Sequence, residues 1–125
     1  MTASLIGCLI AFAGLICAAW AIQVLGFSRF VGLGAAPPSL ILRGPYRFVR
    51  HPFYLGELAF LLGLFVATGD RIVAALVALA IVTTALAIRS EERRLLARFG
   101  EGYRRYRAAV PALVPRRRTT LGSVL

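Results

Sequence analysis

Charge is almost absent from long stretches of this chain, and that absence limits what it can fold into. Residues 1–28 carry no charged side chain, residues 72–88 carry none, and residues 53–68 hold only Glu57. The first run is long enough to cross a hydrocarbon core of ~30 Å as a single helix. The other two are short for complete spans, which predicts a helical hairpin turning at Gly69-Asp70-Arg71, its ends running on into the interface. The expected fold is all-α. It is an integral membrane helical bundle of about three transmembrane helices followed by a C-terminal amphipathic helix, one domain over residues 1–125. A mean hydropathy of +0.79 agrees with that class and excludes an ordinary soluble domain.

Fifteen basic residues against five acidic ones give a net charge of +10, a balance that fits either nucleic acid or anionic lipid. Position decides between them. Residues 28–52 carry +4, the 69–71 turn is neutral, and residues 89–125 carry +7. No folded basic surface with stacking aromatics is visible, so nucleic acid is excluded as a partner and the bilayer is the expected one. Three spans put both basic regions on one side, which the positive-inside rule makes cytoplasmic, with the N-terminus outside. Every basic residue is arginine. Such usage fits a GC-rich genome of bacterial type, and hence the inner (plasma) membrane.

Ala19-Trp20-Ala21 faintly resembles a signal-peptide cleavage site. The apolar run continues past it and no Lys or Arg precedes it, so residues 2–27 are expected to remain as an anchor. Ala3, Gly7, Ala11, Gly14 and Ala18 fall along one face of that helix, the small-residue stripe that lets membrane helices approach closely. Cys8 and Cys17 stand nine residues apart, about 13 Å of helix rise and half a rotation, and so cannot bond to each other. With one histidine and no metal-ligand spacing, no metal site is expected.

Two patches could carry chemistry. The first is Gly44 to Gly56, GPYRFVRHPFYLG. Pro52 disfavours a helical His51 and suits the first position of the next helix, so His51 is expected at a helix entrance. The backbone N–H groups of Phe53, Tyr54 and Leu55 would lack intrahelical partners there, with Arg47 and Arg50 beside them, an arrangement that attracts anions. The plainer account makes His51 and Tyr54 interfacial side chains and has the arginines reach lipid phosphate.

The second patch is Arg89-Ser-Glu-Glu-Arg. Extending the face of Ala74, Ala78 and Ala85 at 100° per residue brings Arg89 and Glu92 onto it, with Glu91 about 100° away. Glu92 is therefore expected to look into the bundle at the level of His51. The plainer account has surface pairs such as Glu91 with Arg94. Glu57, one turn inside the second apolar helix and near Tyr54, is an ionisable group at membrane depth. The segment SEERRLLARFGEGYRRYR is expected to continue the last helix, followed by Pro111, Pro115 and a basic, poorly structured tail.

Taken together and in this order, GPYRFVRHPFYLG and EERRLLARFGEGYRRYRAAVPALVP resemble the C-terminal half of the isoprenylcysteine carboxyl methyltransferases and of phospholipid methyltransferase-like membrane enzymes. Matching positions include Gly44, Pro45, Tyr46, Arg50, His51, Pro52, Tyr54 and Gly56, then Glu91, Glu92, Leu95, Phe99, Gly100, Tyr103, Tyr106, Val110, Pro111 and Pro115. The likeness covers about residues 40–116; residues 1–28, the first transmembrane segment, match only in hydrophobicity.

The resemblance implies an S-adenosylmethionine-dependent membrane methyltransferase without a Rossmann domain. By that likeness His51 and the backbone near Tyr54 and Leu55 would contact the methionine portion of the cofactor. Glu92, with Glu91, would hold its ammonium or ribose hydroxyls, and Tyr103 and Tyr106 would border the adenine. Arg89 or Arg50 would pair with an acceptor carboxylate, if the acceptor has one. A cleft between the first helix and the hairpin would admit an apolar or amphipathic acceptor: an isoprenoid-linked carboxylate, a lipidated substrate, a lipid or a thiol. Family members with additional N-terminal helices suggest a reduced acceptor tunnel here, or one completed by a second subunit in a homo-oligomer. Two other readings stand beside this one. One is an NADPH-dependent sterol-reductase-like oxidoreductase, which usually has Asn where this chain has Phe53. The other is a non-catalytic membrane subunit of the same fold.

Overall fold

The computed structural model describes residues 1–26 and 40–115. Among these, four α-helices follow in order: α1 (Thr2–Leu25), α2 (Pro52–Thr68), α3 (Arg71–Phe99) and α4 (Glu101–Ala109). A 3-10 turn, Gly44–Arg47, precedes α2. α1 and α3 are each long and apolar enough to cross a membrane, and α2 is a shorter apolar helix laid against α1. The all-α membrane bundle of about three spans is what these helices form.

α1 and α2 meet backbone to backbone. Gly7, Ala11, Gly14 and Ala21 are the buried residues of α1, and Gly56 and Gly63 of α2 lie opposite. A Cβ added at Gly14 would stand 2.5 Å from Phe60 N and 2.6 Å from Gly56 O. One added at Gly56 would stand 2.6 Å from both Ala18 N and Gly14 O. Gly7 and Gly63 interlock in the same way, and Ser4 Oγ donates to Ala67 O at 3.1 Å. The stripe expected on α1 is therefore a packing face, though Ala3 at its end is exposed. Its partner is a matching stripe that sequence reasoning did not pick out on α2. The cysteines are free; Cys17 Sγ donates to Pro52 O at 3.4 Å.

This contact corrects one expectation. A cleft between α1 and the hairpin does not exist along α2, because glycine backbones leave no room there. The hairpin turn itself falls where expected. Gly69 takes φ +64 to end α2, and Asp70 caps α3 by accepting from Ile72 N and Val73 N at 2.7 and 3.1 Å.

α3 runs well past its apolar part. Its buried residues are Ala80 and Thr84, whereas Ala78 and Ala85 are exposed. The face expected from Ala74, Ala78 and Ala85 is thus not the packing face; the true one is rotated toward Val77, Ala80, Thr84 and Glu91. Alanine content misleads here because small side chains also suit lipid-facing positions of a helix that is apolar all round.

The amphipathic continuation is broken at Gly100, φ +55, into the end of α3 and the separate α4. α4 buries Tyr103 and Tyr106 with Val110 against Leu40, Leu42, Leu95, Leu96 and Phe99, and leaves Arg104, Arg105 and Arg107 outside. Part of the expected tail is ordered. Pro111 O and Ala112 O accept from Arg50 N and His51 N at 2.9 and 3.1 Å, so residues 110–112 lie alongside the α2 entrance. Pro111 holds Val110 extended, which suits it to that pairing. Arg116, Arg117 and Arg118 lie outside the described residues.

Candidate functional site

The α1–α2 packing sets the position of the site. It brings the start of α2 beside the far end of α1, where Gly44 closes on Trp20 and Val24 and the Arg43 guanidinium donates to Val24 O at 3.3 Å. Pro52 then starts α2 with His51 as its non-helical cap, φ −126 and ψ 64. The hairpin returns α3 to the same end, where Glu91 and Glu92 follow the apolar run that closes at Ile88. Both sequence patches therefore meet.

His51 is 5% exposed and stands between the two glutamates. Its Nε2 is 3.2 Å from Glu92 Oε1, and its Nδ1 faces Glu91 Oε2 at 3.6 Å. Arg50 is a brace. Nε and Nη2 donate to Glu92 Oε1 at 2.9 and 2.8 Å, while Nη1 donates to Arg107 O at 3.1 Å and to Val110 O. One guanidinium thus ties the loop, α3 and the end of α4 together. Glu92 is correspondingly enclosed, its side chain 12% exposed, with Arg107 Nε 3.6 Å from Oε2.

Glu91 is more open, its side chain 36% exposed. The Tyr54 hydroxyl donates to its Oε1 at 2.7 Å. Both glutamates thus face the cluster, and Glu91 is not turned away in a surface pair. They can do so because a glutamate reaches several ångströms from its Cα, so a 100° difference in azimuth does not separate two chains converging on one partner.

Arg89, by contrast, is exposed on α3 and makes none of these contacts. The Leu55 N–H is not free either; it donates to His51 O at 3.1 Å, closing the first turn of α2.

Tyr103 and Tyr106 belong to the wall behind the cluster. Tyr106 donates to Tyr46 O at 2.7 Å. The Tyr103 hydroxyl is fully buried with no partner among the described residues, although the Glu92 carboxylate is close enough to act on it. Burial first, then the Glu92 charge, pushes the Tyr103 phenol up to about 12. Tyr46 is likewise pushed up to about 12 by burial and then by Glu91. The Tyr106 phenol is raised by burial and then by the neighbouring Tyr103 and Tyr46. Sequence reasoning missed Arg107 and the carbonyls of Arg107 and Val110. The only hint was the fixed spacing of Tyr106, Val110 and Pro111.

Comparison with known proteins gives the family. The phospholipid methyltransferase family model matches residues 2–102, most of the chain and both patches' core. The chain belongs to the phospholipid methyltransferase family. It is similar to methanethiol S-methyltransferase 1 of Bradyrhizobium diazoefficiens, 36% identical over 92 residues, which are 74% of this chain and 32% of that protein. Methanethiol S-methyltransferase 2 of the same organism is 42% identical over 71 residues, 57% of this chain and 27% of that protein. The chain thus spans about a third of the length of the curated relatives it matches. No solved structure matches it.

The donor set fits the cofactor that the sequence resemblance implies. Glu91 presents an accessible carboxylate to an ammonium; the Tyr54 hydroxyl donates to that carboxylate and His51 Nδ1 faces it.

Proposed function

We propose that this chain is an S-adenosylmethionine-dependent membrane methyltransferase acting on a thiol. The observation carrying the reading is the half-open Glu91 carboxylate, held by Tyr54 and His51 at the entrance of α2. Glu91 would bind the cofactor's ammonium, His51 would keep Glu91 and Glu92 oriented, and the start of α2 would face the cofactor's carboxylate. When bound, the cofactor supplies an activated methyl group on a sulfonium. The chain's own task is then to align it and exclude water.

Arg50 acts in this reading as the brace that keeps Glu92 and the 110–112 segment in position. With its N–H groups committed and Arg89 exposed, neither arginine suits an acceptor carboxylate, which weighs against an isoprenoid acid. A thiol acceptor is supported by the names of the two relatives. Tyr103 and Tyr106 support the site from behind rather than stacking on an exposed adenine.

The reading also places the +4 loop and the +7 tail on the cytoplasmic side of a bacterial inner membrane. Binding of labelled S-adenosylmethionine to the purified chain in lipid nanodiscs, followed by transfer to a short alkyl thiol, tests the reading. No binding, with binding of reduced nicotinamide dinucleotide phosphate instead, overturns it.

A further inference from the structure

Glu57 is an acid that the site as described does not use. It sits five residues into α2, about 8 Å beyond Pro52 along the helix axis, inside an otherwise apolar helix. Glu57 shares a half-buried strip with Tyr54, Leu61 and Leu64 at helical spacing, whereas Leu62 and Phe65 are exposed. Tyr54 reaches Glu91 of α3 from that same strip, so Glu57 lies along the α2–α3 seam one turn deeper than the cluster. Across the seam α3 buries only Ala80 and Thr84, and half-buried Ala87 stands between Thr84 and Glu91.

Among the described residues no arginine or histidine pairs with Glu57, while Glu91 and Glu92 are both engaged. A membrane segment retains an unpaired carboxylate at a cost, and such residues mark pathways for protons or substrates. Since the α1–α2 contact is closed by glycine backbones, an approach to Glu91 from the bilayer does not run between those two helices.

We propose that Glu57 receives the proton of the methyl acceptor, and that the acceptor is therefore a nucleophile whose reacting atom carries a proton, a thiol or a lipid amine, entering along the α2–α3 seam. The inference rests on the methyltransferase reading above. As the lone pair of a thiol takes the methyl group, its S–H bond becomes strongly acidic; a lipid amine, an ammonium at neutral pH, instead gives up its proton before its lone pair can attack. Either proton passes to a Glu57 carboxylate oxygen and then to water. The bond broken is the one between methyl and sulfonium, whose electron pair stays with the departing, now neutral, sulfur. Nothing is oxidised or reduced.

The full chain in nanodiscs tests this. Dicyclohexylcarbodiimide, an apolar carboxyl reagent, should label Glu57 in the cofactor-free protein before Glu91 or Glu92, and a short alkyl thioether should slow the labelling. Glu57→Gln should bind S-adenosylhomocysteine within about twofold of wild type yet transfer methyl to an alkyl thiol ~10²-fold more slowly or worse. Glu57→Asp should recover part of the rate. The Glu57→Gln deficit should shrink for an acidic aryl thiol that is already ionised.

Phosphatidylethanolamine vesicles in place of the thiol decide between sulfur and amine; loss in either arm supports the proposal. Transfer by Glu57→Gln within threefold of wild type, or labelling indifferent to the thioether, overturns it while leaving the methyltransferase reading intact. Transfer to an isoprenoid carboxylate alone overturns it together with the thiol acceptor of that reading. Absence of S-adenosylhomocysteine binding by wild type is the failure of that reading itself.

Discussion

At the scale of single residues, the two adjacent glutamates have different work. Glu92 is enclosed by Arg50, His51 and Arg107, whereas Glu91 is held by Tyr54 and His51 and remains open. Removing the charge of Glu92 leaves the Arg50 guanidinium short of its main acceptor. Glu92→Gln should therefore lower thermal stability, by less than the ~3–5 kcal/mol of a fully buried broken pair because some solvent reaches it. Glu91→Gln should leave the melting temperature nearly unchanged and weaken S-adenosylhomocysteine binding at least ~10-fold, as loss of one charge-assisted contact does. Calorimetry on both variants checks the pair, and the opposite pattern would mean the roles are exchanged. The tyrosines give a pH prediction. The phenols of Tyr46 and Tyr103, both pushed up to about 12, bind their protons more tightly folded than unfolded, where they would titrate near 10. Their contribution is thus complete below pH ~10 and lost as pH rises from there toward 12. Phenolate absorbance should lag behind that of a denatured control over this range, and tertiary structure should fail with it.

At the scale of elements, what could be read from sequence was what depends on local chemistry. The three apolar segments, the Gly69-Asp70 turn, the Pro52 helix start and the α1 stripe all follow from residue type and spacing, and the structure has them. The packing face of α3 did not follow, because a helix apolar all round carries no amphipathic signal to show which side meets protein. Nor did the glycine pair Gly56 and Gly63 declare itself, since each is unremarkable until α1 is laid against it. That contact is sharply testable. Gly56→Val forces a side chain into the Gly14 and Ala18 backbones and should separate α1 from α2. The cost should exceed the ~1–3 kcal/mol of ordinary overpacking, because backbone cannot step aside. Gly102, with open space around its Cβ position on α4, is the control: Gly102→Ala should stabilise by ~0.5–1 kcal/mol through helix propensity alone. Thermal unfolding in one detergent compares them, and equal effects would refute the backbone-contact account.

Over the whole molecule, packing at one end makes the charge pattern a structural fact rather than a compositional one. Gly44 closes on Trp20 and Val24, Arg50 ties to Glu92 and Val110, and Asp70 caps the opposite end of the hairpin. Residues 43–50, the end of α3 and α4 therefore share one end of the bundle, and the neutral turn occupies the other. The meeting of the two patches was legible in sequence because an odd number of spans and a charge count already imply it. The ordering of residues 110–112 was not, since it depends on Arg50 and His51 offering two backbone N–H groups to carbonyls sixty-one residues away. The proposed sidedness follows from the positive-inside rule applied to this arrangement, and it divides the chain cleanly. With Cys8 and Cys17 first replaced by serine, single cysteines at Asp70→Cys and Arg104→Cys report on opposite ends. In intact cells a membrane-impermeant maleimide should label the cysteine at position 70, and the cysteine at 104 only after the membrane is opened. Arg47→Cys should behave as position 104 does. The reverse labelling would invert the topology while leaving the site intact, and labelling of both ends in intact cells would show that the chain does not span.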